Sequence, residues 1–160
     1  MEKRPKSFYY TNEKMVQDLI AITPIEGSVL DAGSGQNKAW FNNLKGQKYE
    51  CEIEDGCDFY KWDKKIDWVV GNPPFHESWK FTEKASDIAQ KGIAFLVNNQ
   101  ALNSHFIPRR LQVLKDKGFY LQGIKVVQDK RWFGRYYYLI FTKDENNFIS
   151  WNLKTYDQPR

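Results

Sequence analysis

Four consecutive residues, Asn72-Pro73-Pro74-Phe75, concentrate the most chemistry in the chain. Two prolines fix φ twice and remove two backbone donors, so this turn is stiff and displays carbonyls. Asn72 adds a side-chain carbonyl, and Phe75 adds an aromatic plane. Neutral acceptors beside a ring suit one chemical problem. The exocyclic amine of adenine is planar, with its lone pair delocalised into the ring, and is therefore a poor nucleophile. If Asn72 Oδ1 and the Pro73 carbonyl accept its two N–H bonds, the nitrogen is favoured in a tetrahedral form. Its lone pair can then attack a methyl sulfonium. Phe75 would stack on the base and fix its height. Such chemistry needs no metal, covalent intermediate or strong base. As turn chemistry alone, the same residues are a loop breaker.

A second turn, Asp31-Ala32-Gly33-Ser34-Gly35, follows an apolar run, and its glycines allow backbone to approach a ligand closely. It is neither the dinucleotide fingerprint nor a phosphate loop, and on pattern alone it also reads as a plain strand-to-helix connection. Asp31 adds a carboxylate that needs a partner, and the ammonium of an amino acid would supply one. About twenty residues on stands Glu52, where a doubly wound fold offers a carboxylate to ribose hydroxyls, with Glu50 and Glu54 as neighbours of similar chemistry. Asp58 and Phe59 pair an acceptor with an aromatic face that suits an adenine ring.

Both turns close predicted strands. The apolar runs Ser28–Ala32, Ile66–Gly71 and Gly92–Val97 read as buried strands, and Lys48–Ile53 as a weaker one. Helical patterns fall at residues 12–22, Ser78–Lys91 and Ser104–Lys117, with a helix-permissive stretch running to about Leu44. Phe119–Val127, Tyr136–Thr142 and Phe148–Leu153 read as a closing run of strands. Alternating strands and helices, then strands alone, predict a Rossmann-like α/β three-layer sandwich, mostly parallel with an antiparallel C-terminal strand. Ligands of such a sheet bind at the carboxyl ends of its strands.

The 160 residues are 41% hydrophobic and 16% aromatic, enough for one core and unlike a disordered tail. No apolar run approaches the roughly 20 residues that span a bilayer, and the N-terminus lacks a signal-peptide core, so a cytoplasmic protein with no membrane partner is expected. Net charge is +4, which permits a nucleic-acid partner without demanding one. Cys51 and Cys57 are read as reduced structural thiols. His76 and His105 show no metal spacing. Lys125, Lys130, Arg131 and Arg135 surround Trp132, Phe133 and Tyr136–Tyr138, a mixture suited to phosphate contact and base stacking or to an ordinary hairpin. Arg109-Arg110 and Lys115–Lys117 read as a solvated helix face.

Together, Asp31–Gly35 and Asn72–Phe75 resemble the cofactor turn and catalytic tetrapeptide of adenine-N6-type amino-methyltransferases on the class I fold. The resemblance covers roughly Phe8 to Thr142 and implies S-adenosylmethionine as cofactor. Phe8-Tyr9-Tyr10-Thr11 resembles the segment that closes over its methionine part, although Asn12 stands where a proline commonly follows. Tyr10, Thr11, Asp31, Ala32, Gly33 and Gly35 are thereby expected at the cofactor, with Glu52 on its ribose and Asp58 and Phe59 on its adenine. Ala94–Asn103 resembles the family's fifth strand and the turn after it. Phe133 resembles the aromatic opposite Phe75 across the target base, with Trp132 an equal candidate. Lys130, Arg131 and Arg135 then become substrate contacts.

The implied activity is adenine-N6 methylation of DNA or RNA. Protein glutamine methylation is an alternative whose members usually carry Tyr at the Phe75 position. An inactive cofactor- or nucleic-acid-binding subunit is another. A single domain over 1–160 is expected. Only Lys143–Arg160 follows Thr142, so no separate target-recognition domain is expected, and a partner that supplies specificity is left open.

Overall fold

Asn12 opens the first helix as its cap, accepting the Met15 N–H at 3.1 Å. The computed structural model describes residues 10–131, 135–145 and 148–154. Along them run α1 (Glu13–Ile22), β1 (Val29–Ala32), α2 (Ala39–Asn43), β2 (Lys48–Cys51), β3 (Ile66–Gly71), α3 (Ser78–Ile88), β4 (Ala89–Asn98), α4 (Ile107–Asp116), β5 (Tyr120–Val127) and β6 (Tyr136–Thr142). Phe81, Ala85 and Ile88 fall on one stripe of α3, and Leu111 and Leu114 on one of α4. No described helix is long and apolar enough to cross a membrane.

The strands form one sheet in the order β2-β1-β3-β4-β6-β5. β2, β1, β3 and β4 are mutually parallel, and β6 lies antiparallel between β4 and β5. Both sheet faces are covered, which is why β1 and β3 are apolar apart from Asp31 and Asp67. Val16 and Leu19 of α1 and Trp40 of α2 pack on Val70, Leu96 and Tyr138. On the other face α3 and α4 pack on Val69, Ile93, Phe95 and Phe141. Tyr138 is fully buried, stacks on Trp40 at 5.7 Å and hydrogen-bonds Thr23 at 2.6 Å. The Thr23 hydroxyl donates to the Leu19 carbonyl, so Tyr138 is the donor of this pair.

Four expectations are corrected. Ser78–Lys91 divides at Ile88, and its last three residues begin β4, where Ala89 pairs with Ile66. Phe148–Leu153 is irregular, because Ile149 and Trp151 pack against the core on the α4 side, with Trp151 Nε1 donating to Gln112 at 3.1 Å. The predicted strand Lys48–Ile53 ends at Cys51, and between β2 and β3 the chain makes only two single turns of 3-10 helix, Ile53–Asp55 and Phe59–Lys61. Finally, Cys51 and Cys57 are joined in a disulfide. Gly56, at φ 86°, turns the chain back on itself and brings the two Cα atoms to 5.1 Å.

Candidate active site

Going from β1 to β2 the chain moves outward, then crosses back to β3, so β1 and β3 flank the point where the winding reverses. Asp31 lies opposite Val70, which sets the two chemical turns side by side. Their contact needs the glycine at 71. A Cβ there would stand 2.9 Å from both the Ala32 carbonyl and Asp31 Oδ1, at a φ of +139°.

The glycine turn is anchored on the end of β2. Gly33 and Ser34 donate N–H bonds to the Cys51 carbonyl at 2.8 and 3.1 Å. Glu52 accepts the Gly35 N–H at 2.6 Å and, through its other oxygen, the Glu54 N–H at 3.2 Å. Of the three neighbouring glutamates it alone joins the glycine turn, whereas Glu50 is held by Lys38 at 2.6 Å. Beneath the turn, Phe81 comes within 3.5 Å of where a Gly33 Cβ would be. Phe59 is only 3% exposed and packs on Phe81 at 4.8 Å, so it lies in the core and offers no open face. The exposed ring is its neighbour Tyr60, set edge-on to Phe81, and Asp58 caps this turn by accepting the Tyr60 N–H at 3.0 Å. Burial, with the Glu77 carboxylate nearby, pushes the Tyr60 hydroxyl up to about 12.

Asp31 is completely buried. Its Oδ2 accepts the Phe41 N–H at 3.0 Å, while Oδ1 has no partner. Burial above all pushes its pKa up to about 8, with the charges of Glu50 and Glu52 adding and the Phe41 N–H opposing. An orphaned carboxylate oxygen beside positive-φ glycines fits a ligand that carries a cationic group and lies close to backbone. The residues present thus suit S-adenosylmethionine.

In the Asn-Pro-Pro-Phe turn, Asn72 Nδ2 donates to Thr11 Oγ1 at 2.9 Å. That bond orients the amide and leaves Oδ1 buried and without a partner. The Pro74 carbonyl is taken by the Glu77 N–H at 2.9 Å, whereas the Pro73 carbonyl is left available among the described residues. Phe75 packs on Tyr136 with ring centroids 5.5 Å apart. Tyr136 in turn lies opposite Asn98, whose Oδ1 is also buried and unpartnered. Sequence reasoning missed Phe81 and Asn98 as site neighbours and placed Tyr136 only in the cationic, aromatic hairpin. The order β3-β4-β6 gathers the last two, and no local pattern reveals it. Thr11, expected at the cofactor, also accepts a hydrogen bond from Asn72 across 61 positions.

Arg131 points inward. Its guanidinium contacts both oxygens of Asp129, the closest at 2.7 Å, and donates to the Tyr10 carbonyl at 2.9 Å. Asp129 is 8% exposed, and Arg131 holds it below the usual carboxylate range. Lys130 and Arg135 are exposed. Trp132, Phe133, Phe8 and Tyr9 lie outside the described residues.

A buried carboxyl group at a glycine turn, beside a rigid Asn-Pro-Pro-Phe turn on this sheet, defines a class I methyltransferase. Among solved structures, a Pyrococcus horikoshii protein provisionally assigned as an RNA methyltransferase superposes with a TM-score of 0.63 at 20% identity, over 88% of this chain and 91% of its own. The magnesium protoporphyrin IX methyltransferase of Synechocystis, with bound SAH, gives 0.62 at 12% identity, over 82% and 83%. No curated protein matches the sequence. The family model of the Eco57I restriction-modification methylase matches residues 7–149, and the chain belongs to that family of S-adenosylmethionine-dependent methyltransferases.

Proposed function

We propose that the protein methylates the exocyclic N6 amine of adenine in nucleic acid, with DNA as the first substrate to test. The observation that carries this reading is Asn72 Oδ1, a buried acceptor without a partner on an amide already oriented by Thr11. The restriction-modification family supports a nucleic-acid substrate. S-adenosylmethionine, when bound, supplies an electrophilic methyl group on sulfur. Asp31, Gly33, Gly35 and Glu52 are the residues proposed to hold it. The chain's task is then to remake a planar amine into a nucleophile. Asn72 Oδ1 and the Pro73 carbonyl accept its two N–H bonds, which favours the tetrahedral form and stabilises positive charge growing on nitrogen. Phe75, itself fixed against Tyr136, stacks on the base and limits its motion.

Asn72→Ala tests the assignment. Loss of a preorganised acceptor should reduce the rate of methyl transfer about 100-fold or more. Cofactor affinity, measured by calorimetry, should hardly change. An Asn72→Ala enzyme with near-parental transfer on adenine-containing oligonucleotides refutes it.

A further inference from the structure

A groove of about 400 Å³ runs between the first half of α3 and most of α4, outside the site described above. Both helices start at the carboxyl end of the sheet, and α3 begins three residues after Phe75. Trp79 thus stands about one helical turn, roughly 6 Å, along the chain from the catalytic turn. Its ring is fixed by a 2.8 Å hydrogen bond from Nε1 to the Ala101 carbonyl, and the Arg110 guanidinium lies over it at 5.5 Å. Phe106, 51% exposed, forms the opposite lip, with the His105 ring tilted against it at a centroid distance of 3.9 Å.

Three cations, Lys80, Arg109 and Arg110, line this groove with one carboxylate, Glu83. That carboxylate is shared with Lys117 at 3.8 Å. None of the three cations is in an ion pair among the described residues, although Lys14, Lys38, Lys91, Lys117 and Arg131 all are. Unpaired cations beside the exposed ring of Phe106 match a phosphate backbone carrying unstacked bases. A duplex keeps its base faces covered, and an acidic peptide has no use for exposed rings.

We infer that this groove binds the single-stranded segment flanking the target base. Phosphates lie on Lys80, Arg109 and Arg110, and a base stacks on Phe106. The inference rests on the nucleic-acid reading and adds a binding site to it. Arg109 and Arg110 are therefore more than the solvated face that their helical position suggests.

The test uses single-stranded oligonucleotides extended from one target adenine by zero to six nucleotides, on either side. Affinity is read by fluorescence anisotropy at several salt concentrations, and melting temperature and cofactor affinity monitor folding. The parent should gain affinity from extension on one side only. Phe106→Ala should reduce that gain about 5- to 50-fold, the effect of losing one stacked base. Arg109→Gln with Arg110→Gln should reduce the log–log salt slope by about 0.7 per lost phosphate contact. Folded variants that keep the full gain overturn the groove while leaving the methylation reading intact. A polyglutamate peptide that binds the parent, loses affinity in these variants and displaces no oligonucleotide also overturns it. A parent that neither binds nor methylates any oligonucleotide overturns both readings.

Discussion

Asp31 loses its water on folding and receives a single N–H in return, from Phe41. Its ordinary pKa of 3.8 is pushed up to about 8 by that burial. Below 3.8 both folded and unfolded chains hold the proton. As pH rises toward about 8, the unfolded chain releases its proton while the folded one retains it, so Asp31 costs the fold stability across that window. Asp31→Asn should flatten this decline, seen as a melting temperature that changes less between pH 4 and pH 8 on the order of those limits. A cationic ligand reverses the preference, because it needs the ionised carboxylate. Cofactor affinity should rise with pH and level off near 8, with proton release visible in buffers of different ionisation enthalpy. Asp31→Asn should bind about 10- to 100-fold more weakly and without that pH dependence, having lost a charge-assisted bond. An unchanged pH profile in Asp31→Asn would remove Asp31 from the ammonium site. Asp31 and Asn72 were legible because each ends an apolar run in an unusual turn. The Thr11–Asn72 bond was not, since it joins residues that share no local pattern.

Among the elements, the short return from β2 to β3 departs most from the sequence reading. Two cysteines six apart, with no third ligand, suggest reduced thiols, and only the reversal at Gly56 brings them together. Here the disulfide closes the turn that carries Glu52, and Glu52 grips Gly35. Cys57→Ser should cost about 2 kcal/mol, the chain-entropy value for so small a loop. It should also weaken cofactor binding by freeing Glu52 from the glycine turn. Thermal melts and calorimetry on the parent, oxidised and reduced, and on the variant provide the check. Equal cofactor affinity in all three would make the disulfide a stabiliser alone. The central strands were easily read, because burial on both faces leaves β1 and β3 apolar apart from Asp31 and Asp67. Helix ends were harder. Ala89 suits the end of α3 as well as the start of β4, and strand pairing with Ile66 decides it.

On the scale of the whole molecule, inserting β6 between β4 and β5 brings Tyr136 to Phe75 of the Asn-Pro-Pro-Phe turn, and Arg131, before β6, to Tyr10 of the N-terminal segment. The α/β class was visible in the alternation of patterns, but this insertion was not, because β-rich runs do not announce their neighbours. One consequence concerns the cations of that loop, which sequence alone treats alike. Arg131 has its charge met by Asp129 and ties the loop to the Tyr10 carbonyl, one residue before the threonine that orients Asn72. Lys130 and Arg135 are exposed and form no ion pair among the described residues. If nucleic acid lies along this loop, Lys130→Ala and Arg135→Ala should each lower the log–log salt slope of binding by about 0.7 to 0.9. Arg131→Ala should leave that slope unchanged, because the charge it removes was already neutralised. Its effects should appear instead as lost stability, about 2 kcal/mol from a buried Asp129 left without its partner, and as slower methyl transfer. Arg131→Lys should restore little, since one ammonium cannot reproduce a fork that meets both carboxylate oxygens and a backbone carbonyl. Salt titrations, melts and single-turnover rates on the four variants separate the two roles. A salt slope reduced as much by Arg131→Ala as by Lys130→Ala would assign Arg131 to phosphate after all.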